Sequence, residues 1–167
     1  DEATAANIRT YVRNGGTVIM TAYSAKVDEH NQWFETPLPG RLSDVFGLKT
    51  NEFYNWDKKP LTVDFAGQLA QTTINSYEVL EPSTAKVIAR FTNTPEASPA
   101  ITVNTYGKGQ AIYLATPAQA SLMVPLVRSL YAPLKVTRGP ETPAGVYARV
   151  VEGRTMYVNT TAESKDI

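Results

Sequence analysis

The fold predicted for this chain depends on the stretch NGGTVIMTA, residues 14–22. Its two glycines tolerate the left-handed backbone that ends a helix, and the run that follows them is short, apolar and β-branched. Such a run is typical of a strand that is buried on both faces of a parallel sheet. The preceding residues 1–14 carry Ala5, Ile8 and Val12 at helical spacing. A helix, a Gly-Gly turn and a buried strand together predict one arm of a βαβ unit.

The start of the chain departs from that unit, because no strand precedes the predicted helix. The sequence opens on Asp1 and Glu2, which are typical of the first turn of a helix and not of the first residues of a natural protein. We therefore expect the chain to be a segment of a longer protein that lacks its N-terminal part.

The middle of the chain predicts short helices, extended segments and one strong hairpin. Pro39 and Gly40 open a short helix that Gly47 closes. Alternating apolar residues around the turn Gly107-Lys108-Gly109 predict a hairpin over residues 100–115. A last helix is predicted over residues 118–131, with Pro125 as a possible kink, and extended segments are predicted at 48–56, 61–65, 72–77 and 85–91. The fold class that follows is α/β with a small C-terminal β appendage.

The domain boundary is predicted in residues 133–143, which hold three prolines and a glycine. We expect one domain over residues 1–134, a linker over 135–143 and the start of a second domain over 144–167. The last part predicts a hairpin that turns at Glu152-Gly153. Two strands are too few for independent stability, so we expect the second domain to need further strands.

Composition excludes several classes of function. Lysine plus arginine and aspartate plus glutamate number 16 each, so no basic excess predicts nucleic acid or a membrane surface as a partner. The chain has no cysteine, which excludes disulfides, zinc–thiolate sites and cysteine nucleophiles. No apolar stretch approaches the roughly 20 residues that span a bilayer. We expect no cofactor, and the compartment stays open between the cytoplasm, which is favoured, and the periplasm.

Two groups of residues could suggest a metal or a nucleophile. Asp28, Glu29 and His30 are metal-ligand types, but three adjacent residues cannot easily converge on one ion, so a solvated loop is the preferred interpretation. Ser24 follows the predicted strand at a place where α/β enzymes carry a nucleophile. The pattern Gly-x-Ser-x-Gly is absent around it, and the chain has only one histidine to serve as a base. We therefore predict neither metal ligands nor catalytic residues in this chain.

Carboxylates and aromatic rings leave a carbohydrate-binding alternative open. Glycoside hydrolysis needs two carboxyl groups across the scissile bond, and neither Asp28 with Glu29 nor Glu52 with Asp57 is marked as such a pair. The turn Gly107-Lys108-Gly109 lacks the length and the following helix of a phosphate loop. Four aromatic residues could stack on a sugar ring, but a place in an interface or in the core is the preferred interpretation: Trp33, Phe53, Tyr54 and Trp56.

Motifs distributed over roughly residues 4–132 resemble the trimerisation domain of the β-galactosidases of glycoside hydrolase family 42. In chain order they are IRTYVRNGGTVIMT (8–21), SAKVDE (24–29), PGRLSDVFGL (39–48) and YGKGQAIY (106–113). The segment from Gly145 to Asn159 is similar to the first hairpin of the β domain that follows in that family. The glycine motifs alone are common, whereas the Val-Asp-Glu loop followed by the Pro-Gly helix is more specific.

The resemblance implies a flavodoxin-like, three-layer fold with a mostly parallel sheet, related to the class I glutamine amidotransferases. Those enzymes carry a cysteine on the turn after the Gly-Gly strand, where this sequence reads Thr21-Ala22-Tyr23-Ser24, so their chemistry is not implied. An alternative function remains open, in which the chain is a stand-alone amidotransferase-like or sugar-binding domain.

For function, the resemblance implies a non-catalytic assembly region of a larger, retaining enzyme that hydrolyses terminal β-D-galactosides. Both catalytic glutamates and the galactoside site would lie in a (β/α)8 barrel outside this chain. The implied partner is the same protein, as a homotrimer. We expect the interface around the loop that carries Asp28, Glu29, Trp33 and Phe34.

Overall fold

A computed structural model describes residues 1–35, 37–55, 59–73 and 76–167, which form two compact units, Asp1–Val124 and Pro125–Ile167. The first unit contains, in chain order, α1 (Glu2–Arg13), β1 (Thr17–Thr21), a 3-10 turn (Gly40–Leu42), α2 (Ser43–Phe46), β2 (Leu48–Asn55), β3 (Thr62–Phe65), β4 (Gln68–Gln71), β5 (Ser76–Pro82), β6 (Lys86–Phe91), a second 3-10 turn (Pro95–Ala97), β7 (Pro99–Tyr106) and β8 (Gly109–Leu114). Helix α3 (Ala120–Tyr131) runs across the division between the units, and β9 (Val146–Val151) and β10 (Arg154–Asn159) follow it.

Local signals placed most of these elements correctly. Asp1 caps α1 by accepting a hydrogen bond from the amide of Thr4 at 2.8 Å. The predicted short helix ends at Gly47, whose backbone is left-handed at φ 61°. The predicted hairpins are both confirmed, since β7 pairs antiparallel with β8 and β9 pairs antiparallel with β10. Helix α3 continues through Pro125.

The predicted α/β class, with a flavodoxin-like three-layer fold and a mostly parallel sheet, is wrong, because the secondary structure of the described residues is mostly β-strand. The main sheet has the strand order β1-β8-β7-β6-β3-β4, and within it only β1 and β8 are parallel. Strands β2 and β5 form a separate antiparallel pair. The physical reason is the length of the connections: β3–β4, β6–β7 and β7–β8 are joined by short turns, which can only link antiparallel strands, whereas parallel neighbours need a long crossover.

Strand β1 also differs from its prediction. It was expected to be buried on both faces, but all five of its residues are half-buried. In the described part of the chain β1 stands at the edge of the sheet, with β8 as its neighbour. An edge strand has fewer side chains around it than a central strand, so its apolar run is covered only in part.

The region around residues 72–77 was predicted as one weak strand, and this prediction is wrong. The structure has two strands there instead, β4 ending at Gln71 and β5 beginning at Ser76. Ile74 and Asn75 lie outside the described residues. Strand β5 pairs with β2 and carries three buried side chains, those of Tyr77, Glu78 and Leu80.

The core of the first unit lies between the main sheet, α1 and α2. Its fully buried large side chains come from almost every element: Val12, Phe46, Leu48, Leu61, Phe91, Ile101, Ile112, Tyr113 and Leu114. Phe46 meets Tyr113 edge to face, with the ring centroids 5.5 Å apart. Burial of these apolar and aromatic side chains supplies the main stabilisation of the unit.

Two glycine motifs of the sequence fit directly against each other. The amide of Lys108 donates to the carbonyl of Arg13 at 3.0 Å, and the amide of Gln110 donates to the carbonyl of Gly16 at 3.1 Å. A side chain at Gly109 would collide with the carbonyl oxygens of Gly16 and Val12. The β7–β8 turn therefore docks on the end of α1 because its glycine allows backbones to approach closely.

We expect Gly109→Ala to lower the free energy of unfolding by about 1–3 kcal/mol, because the added methyl group must push two backbone segments apart. The measurement is urea unfolding followed by circular dichroism. Gly139→Ala is the matched control, because a methyl group there would meet only the carbonyl of Ala148, at 3.9 Å. Equal stability of the two variants would contradict the close docking of the turn.

Candidate functional site

The loop after β1 forms a small hairpin of its own. The amide of Phe34 donates to the carbonyl of Lys26 at 3.1 Å, and Val27 and Trp33 form an isolated antiparallel bridge. Asp28 closes the tip, where its carboxylate accepts hydrogen bonds from the amides of His30 and Gln32 at 2.8 and 2.9 Å. This closed loop places Trp33 beside Lys26.

Glu78 lies at the centre of a buried polar network beneath this loop. It projects from β5, is fully buried, and forms an ion pair with the nearly buried ammonium of Lys26. The same carboxylate accepts a hydrogen bond from the amide of Tyr23 at 2.9 Å and one from the phenol of Tyr113 at 2.6 Å. We call Lys26, Glu78, Tyr113 and the amide of Tyr23 the Glu78 network. It joins the loop, β5 and β8.

The Glu78 network is suited to fixing the loop after β1 on β5 and β8 rather than to transferring protons. Burial, and then the charge and hydrogen bonding of Glu78, raise the pKa of the Tyr113 phenol, so Tyr113 stays protonated and donates to the carboxylate. Lys26 and Glu78 compensate each other's charge out of contact with solvent. A substrate could not reach a fully buried carboxylate without displacing the loop above it.

Three exposed aromatic rings surround the ammonium of Lys26. The Nζ atom lies 5.1 Å from the ring centroid of Tyr23, 5.4 Å from that of Trp33 and 5.7 Å from that of Phe53. Tyr23 and Phe53 also meet edge to face at 6.1 Å. Trp33 and Phe53 are more than half exposed, at 58% and 54%, and Tyr23 is 40% exposed. We call Tyr23, Trp33 and Phe53 the aromatic rim.

The register of β2 against β5 explains why Phe53 belongs to this rim. Phe53 lies directly opposite Glu78, and residues that face each other across an antiparallel pair project to the same side. Tyr54 lies opposite Tyr77 and projects to the other side, where the two rings stack at 5.8 Å. The aromatic residues that the sequence suggested for sugar stacking therefore do not all lie together. Phe53 lies in the rim with Trp33, whereas Tyr54 lies on the other side of β2.

The four residues expected at an interface differ in how far they are exposed. Trp33 is exposed in the aromatic rim, and Asp28 is half-buried at the loop tip. The hydrogen bonds from Gln32 and His30 hold the pKa of the Asp28 carboxyl below its usual value. Phe34 instead turns inward, where Gly40 leaves room for its ring and the Arg41 guanidinium lies 5.2 Å from the ring centroid. Glu29 is exposed and lies 3.8 Å from Arg41.

The remaining candidates of the sequence do not assemble into an active site. Within the described ranges the Ser24 hydroxyl makes no hydrogen bond to a base, and its amide donates to the Thr21 carbonyl in a tight turn. Glu52 accepts a hydrogen bond from Tyr54 at 3.0 Å on the surface. Asp57 and Trp56 lie outside the described residues.

Neither a metal site nor a membrane-spanning helix is found among the described residues. No group of three histidine or acidic side chains there is placed so that it could hold a metal ion. Among the same residues, no helix has both the length and the apolar character needed to cross a lipid bilayer.

Sequence reasoning missed the Glu78 network and Tyr23, one of the three residues of the aromatic rim. One signal was present: Glu78 stands between apolar neighbours in SYEVL, residues 76–80, where a strand buries every second side chain. A charged residue in such a run is buried only if it is paired. Its partners, Lys26 and Tyr113, are too distant in the chain for a local pattern to identify them.

Comparison with known proteins places the chain in a family. The sequence model described as "Beta-galactosidase trimerisation domain" matches residues 1–137. The β-galactosidase Pbg of Clostridium perfringens is 28% identical over 176 residues, which cover 96% of this chain and 25% of that protein. The β-galactosidase BgaP of Planococcus sp. strain L4 is 28% identical over 185 residues, covering 99% and 26%.

Solved structures give the same result. A β-galactosidase from Rahnella sp. R3 matches with a TM-score of 0.84 and 27% identity, over 97% of this chain and 26% of its own. A β-galactosidase from Bacillus circulans sp. alkalophilus matches with a TM-score of 0.83 and 26% identity, over 95% and 25%. The chain spans about a quarter of the length of these relatives.

Proposed function

The chain belongs to the β-galactosidase trimerisation domain family of glycoside hydrolase family 42, and from this premise we propose that it assembles a larger β-galactosidase into a homotrimer. The observation that carries the proposal is the family match over residues 1–137. In this proposal residues 1–134 form the assembly domain, 135–143 a linker and 144–167 the beginning of a β domain. The galactoside would bind, and be hydrolysed, in a part of the enzyme outside this chain.

The exposed part of the loop after β1 supports a role in assembly. Trp33 is a large aromatic side chain held at the surface by a closed loop, and tryptophan is enriched at the energetic centres of protein interfaces. Asp28 and Glu29 are charged residues of the same loop, and charged residues are typical of an interface rim. We propose Asp28, Glu29 and Trp33 as residues of the self-association surface, with Phe34 supporting the loop from inside.

The proposal is tested by sedimentation equilibrium of the 167-residue chain and of the product of the complete gene that encodes it. We expect the complete product to be a trimer that hydrolyses a chromogenic β-D-galactoside, and the chain alone to have no hydrolase activity. A complete product that is monomeric at micromolar concentration would overturn the assembly function. Hydrolysis by the chain alone would overturn the non-catalytic assignment.

We expect Trp33→Ala to weaken self-association by about 2 kcal/mol, or roughly 30-fold in the dissociation constant, because it removes an exposed aromatic side chain that association would bury. Sedimentation equilibrium over a dilution series measures this change. Tyr11→Ala is the matched control, because Tyr11 on α1 is exposed to the same extent, 57% against 58% for Trp33. Equal weakening by both substitutions would argue against a specific role of the loop.

A further inference from the structure

We infer that the aromatic rim as a whole, Tyr23, Trp33 and Phe53, is the surface on which a second copy of this chain binds, and that the buried Lys26–Glu78 pair holds this surface in position. The inference rests on the proposed self-association. It adds two aromatic residues to the interface and assigns Lys26 and Glu78 as positioning residues.

The three rings form an ordered surface before any partner binds. Tyr23 and Phe53 fix each other edge to face, and all three centroids lie within 5.1–5.7 Å of one ammonium group. Large rings that are already held lose little conformational freedom on association. Exposed aromatics of this kind are typical of the buried centre of an interface and unusual for a surface that stays in water.

Charge favours a second copy of the chain as the occupant. The cation under the rings is compensated by Glu78, and the whole chain has a formal net charge of zero, so two copies do not repel each other. An anionic partner would need an uncompensated cation at this surface. The Lys26 ammonium beside the rings is already paired with Glu78, so it is not free to bind the hydroxyl groups of a saccharide.

Glu78 positions the rim through two different contacts. Its ion pair fixes Lys26, whose ammonium the rings surround. Its hydrogen bond from the Tyr23 amide holds a residue whose φ is 66°, a backbone conformation that bulky L-residues rarely adopt. Loss of the carboxylate therefore releases both the cation and the backbone that carries a ring of the surface.

The first test follows Trp33 by fluorescence in a Trp56→Phe background, which leaves Trp33 as the only tryptophan of the chain. Acrylamide quenching is measured over a dilution series whose association state is known from sedimentation. We expect the quenching constant to fall at least about twofold on association, because the ring becomes shielded from solvent.

Three other results would each be decisive. A chain and complete gene product that never associate would overturn the proposed function itself. Association with unchanged quenching of Trp33 would leave the proposed function standing and overturn the inference. Protection of Trp33 by lactose in the dilute, unassociated protein would identify a saccharide as the occupant and would also overturn the inference.

The second test removes the buried pair without leaving a lone charge. We expect Lys26→Met/Glu78→Gln to weaken association at least about tenfold and to shift the emission of Trp33 already in the unassociated protein. Arg9→Met/Asp44→Asn is the matched control. It removes another ion pair, in which Arg9 Nε and Asp44 Oδ2 lie 3.2 Å apart and neither residue belongs to the rim. We expect it to leave both the dissociation constant and the Trp33 emission unchanged.

The inference fails if the folded Lys26→Met/Glu78→Gln variant associates like the unmodified chain with unchanged Trp33 emission. If that variant does not fold, the quenching series decides alone, since it leaves Lys26 and Glu78 intact.

Discussion

Replacing Glu78 by alanine is expected to lower the free energy of unfolding by about 3–5 kcal/mol, because the substitution leaves the Lys26 ammonium buried without a counter-charge. The carboxylate is fully buried and Lys26 is only 6% exposed, so water cannot replace the missing partner without disrupting the loop. The Tyr23 amide and the Tyr113 phenol lose their acceptor as well. Urea unfolding followed by far-ultraviolet circular dichroism measures the loss.

The double substitution Lys26→Met/Glu78→Gln distinguishes the cost of leaving the Lys26 ammonium buried alone from the cost of losing the contacts of Glu78. It removes both charges and keeps an amide oxygen that can accept from Tyr23 or Tyr113. We expect it to recover most of the stability that Glu78→Ala loses, because a buried ion pair can often be replaced by neutral groups of similar volume at little cost. A loss below about 1 kcal/mol for Glu78→Ala would show that the carboxylate is solvated in the protein.

Phe46→Ala is the second substitution with a large expected effect, a loss of about 3–5 kcal/mol in the free energy of unfolding. Phe46 is fully buried on the short helix α2, which packs against β7 and β8. Its ring meets Tyr113 at an interplanar angle of 78°. The truncation leaves a cavity beside the phenol that donates to Glu78, and the surrounding backbone can collapse into it only in part.

Leu69→Ala is the control for Phe46→Ala. Leu69 is a large apolar residue on β4, but 70% of it is exposed, so its truncation removes little buried area. We expect a change within about 0.5 kcal/mol, as for most surface substitutions. Similar losses for the two variants in urea would mean that α2 is not packed in the protein as described.

Some of the site could be predicted from the sequence. Trp33 was placed correctly on an exposed loop, because the segment after β1 is polar and lacks helical or strand periodicity. Phe34 could not be distinguished from it, since its position depends on the space that Gly40 leaves across the loop. Phe53 and Tyr54 project to opposite sides of β2, and only the register against β5 reveals which of them joins Trp33.

The sequence by itself determined the elements whose causes lie within a few residues. The cap at Asp1, the left-handed Gly47 and the turn at Gly107-Lys108-Gly109 each depend on the backbone preferences of neighbouring residues. The motifs built from these turns were also enough to indicate the family, which the match over residues 1–137 confirms.

Only the tertiary structure decided the direction of the strands and the residues of the site. Strand β1 is parallel to β8, but this one pair does not reveal that the other strands of the main sheet pair antiparallel. Glu78 meets Tyr23 from 55 positions away and Tyr113 from 35 positions away. Such contacts arise from the packing of whole strands, and no pattern confined to neighbouring residues encodes them.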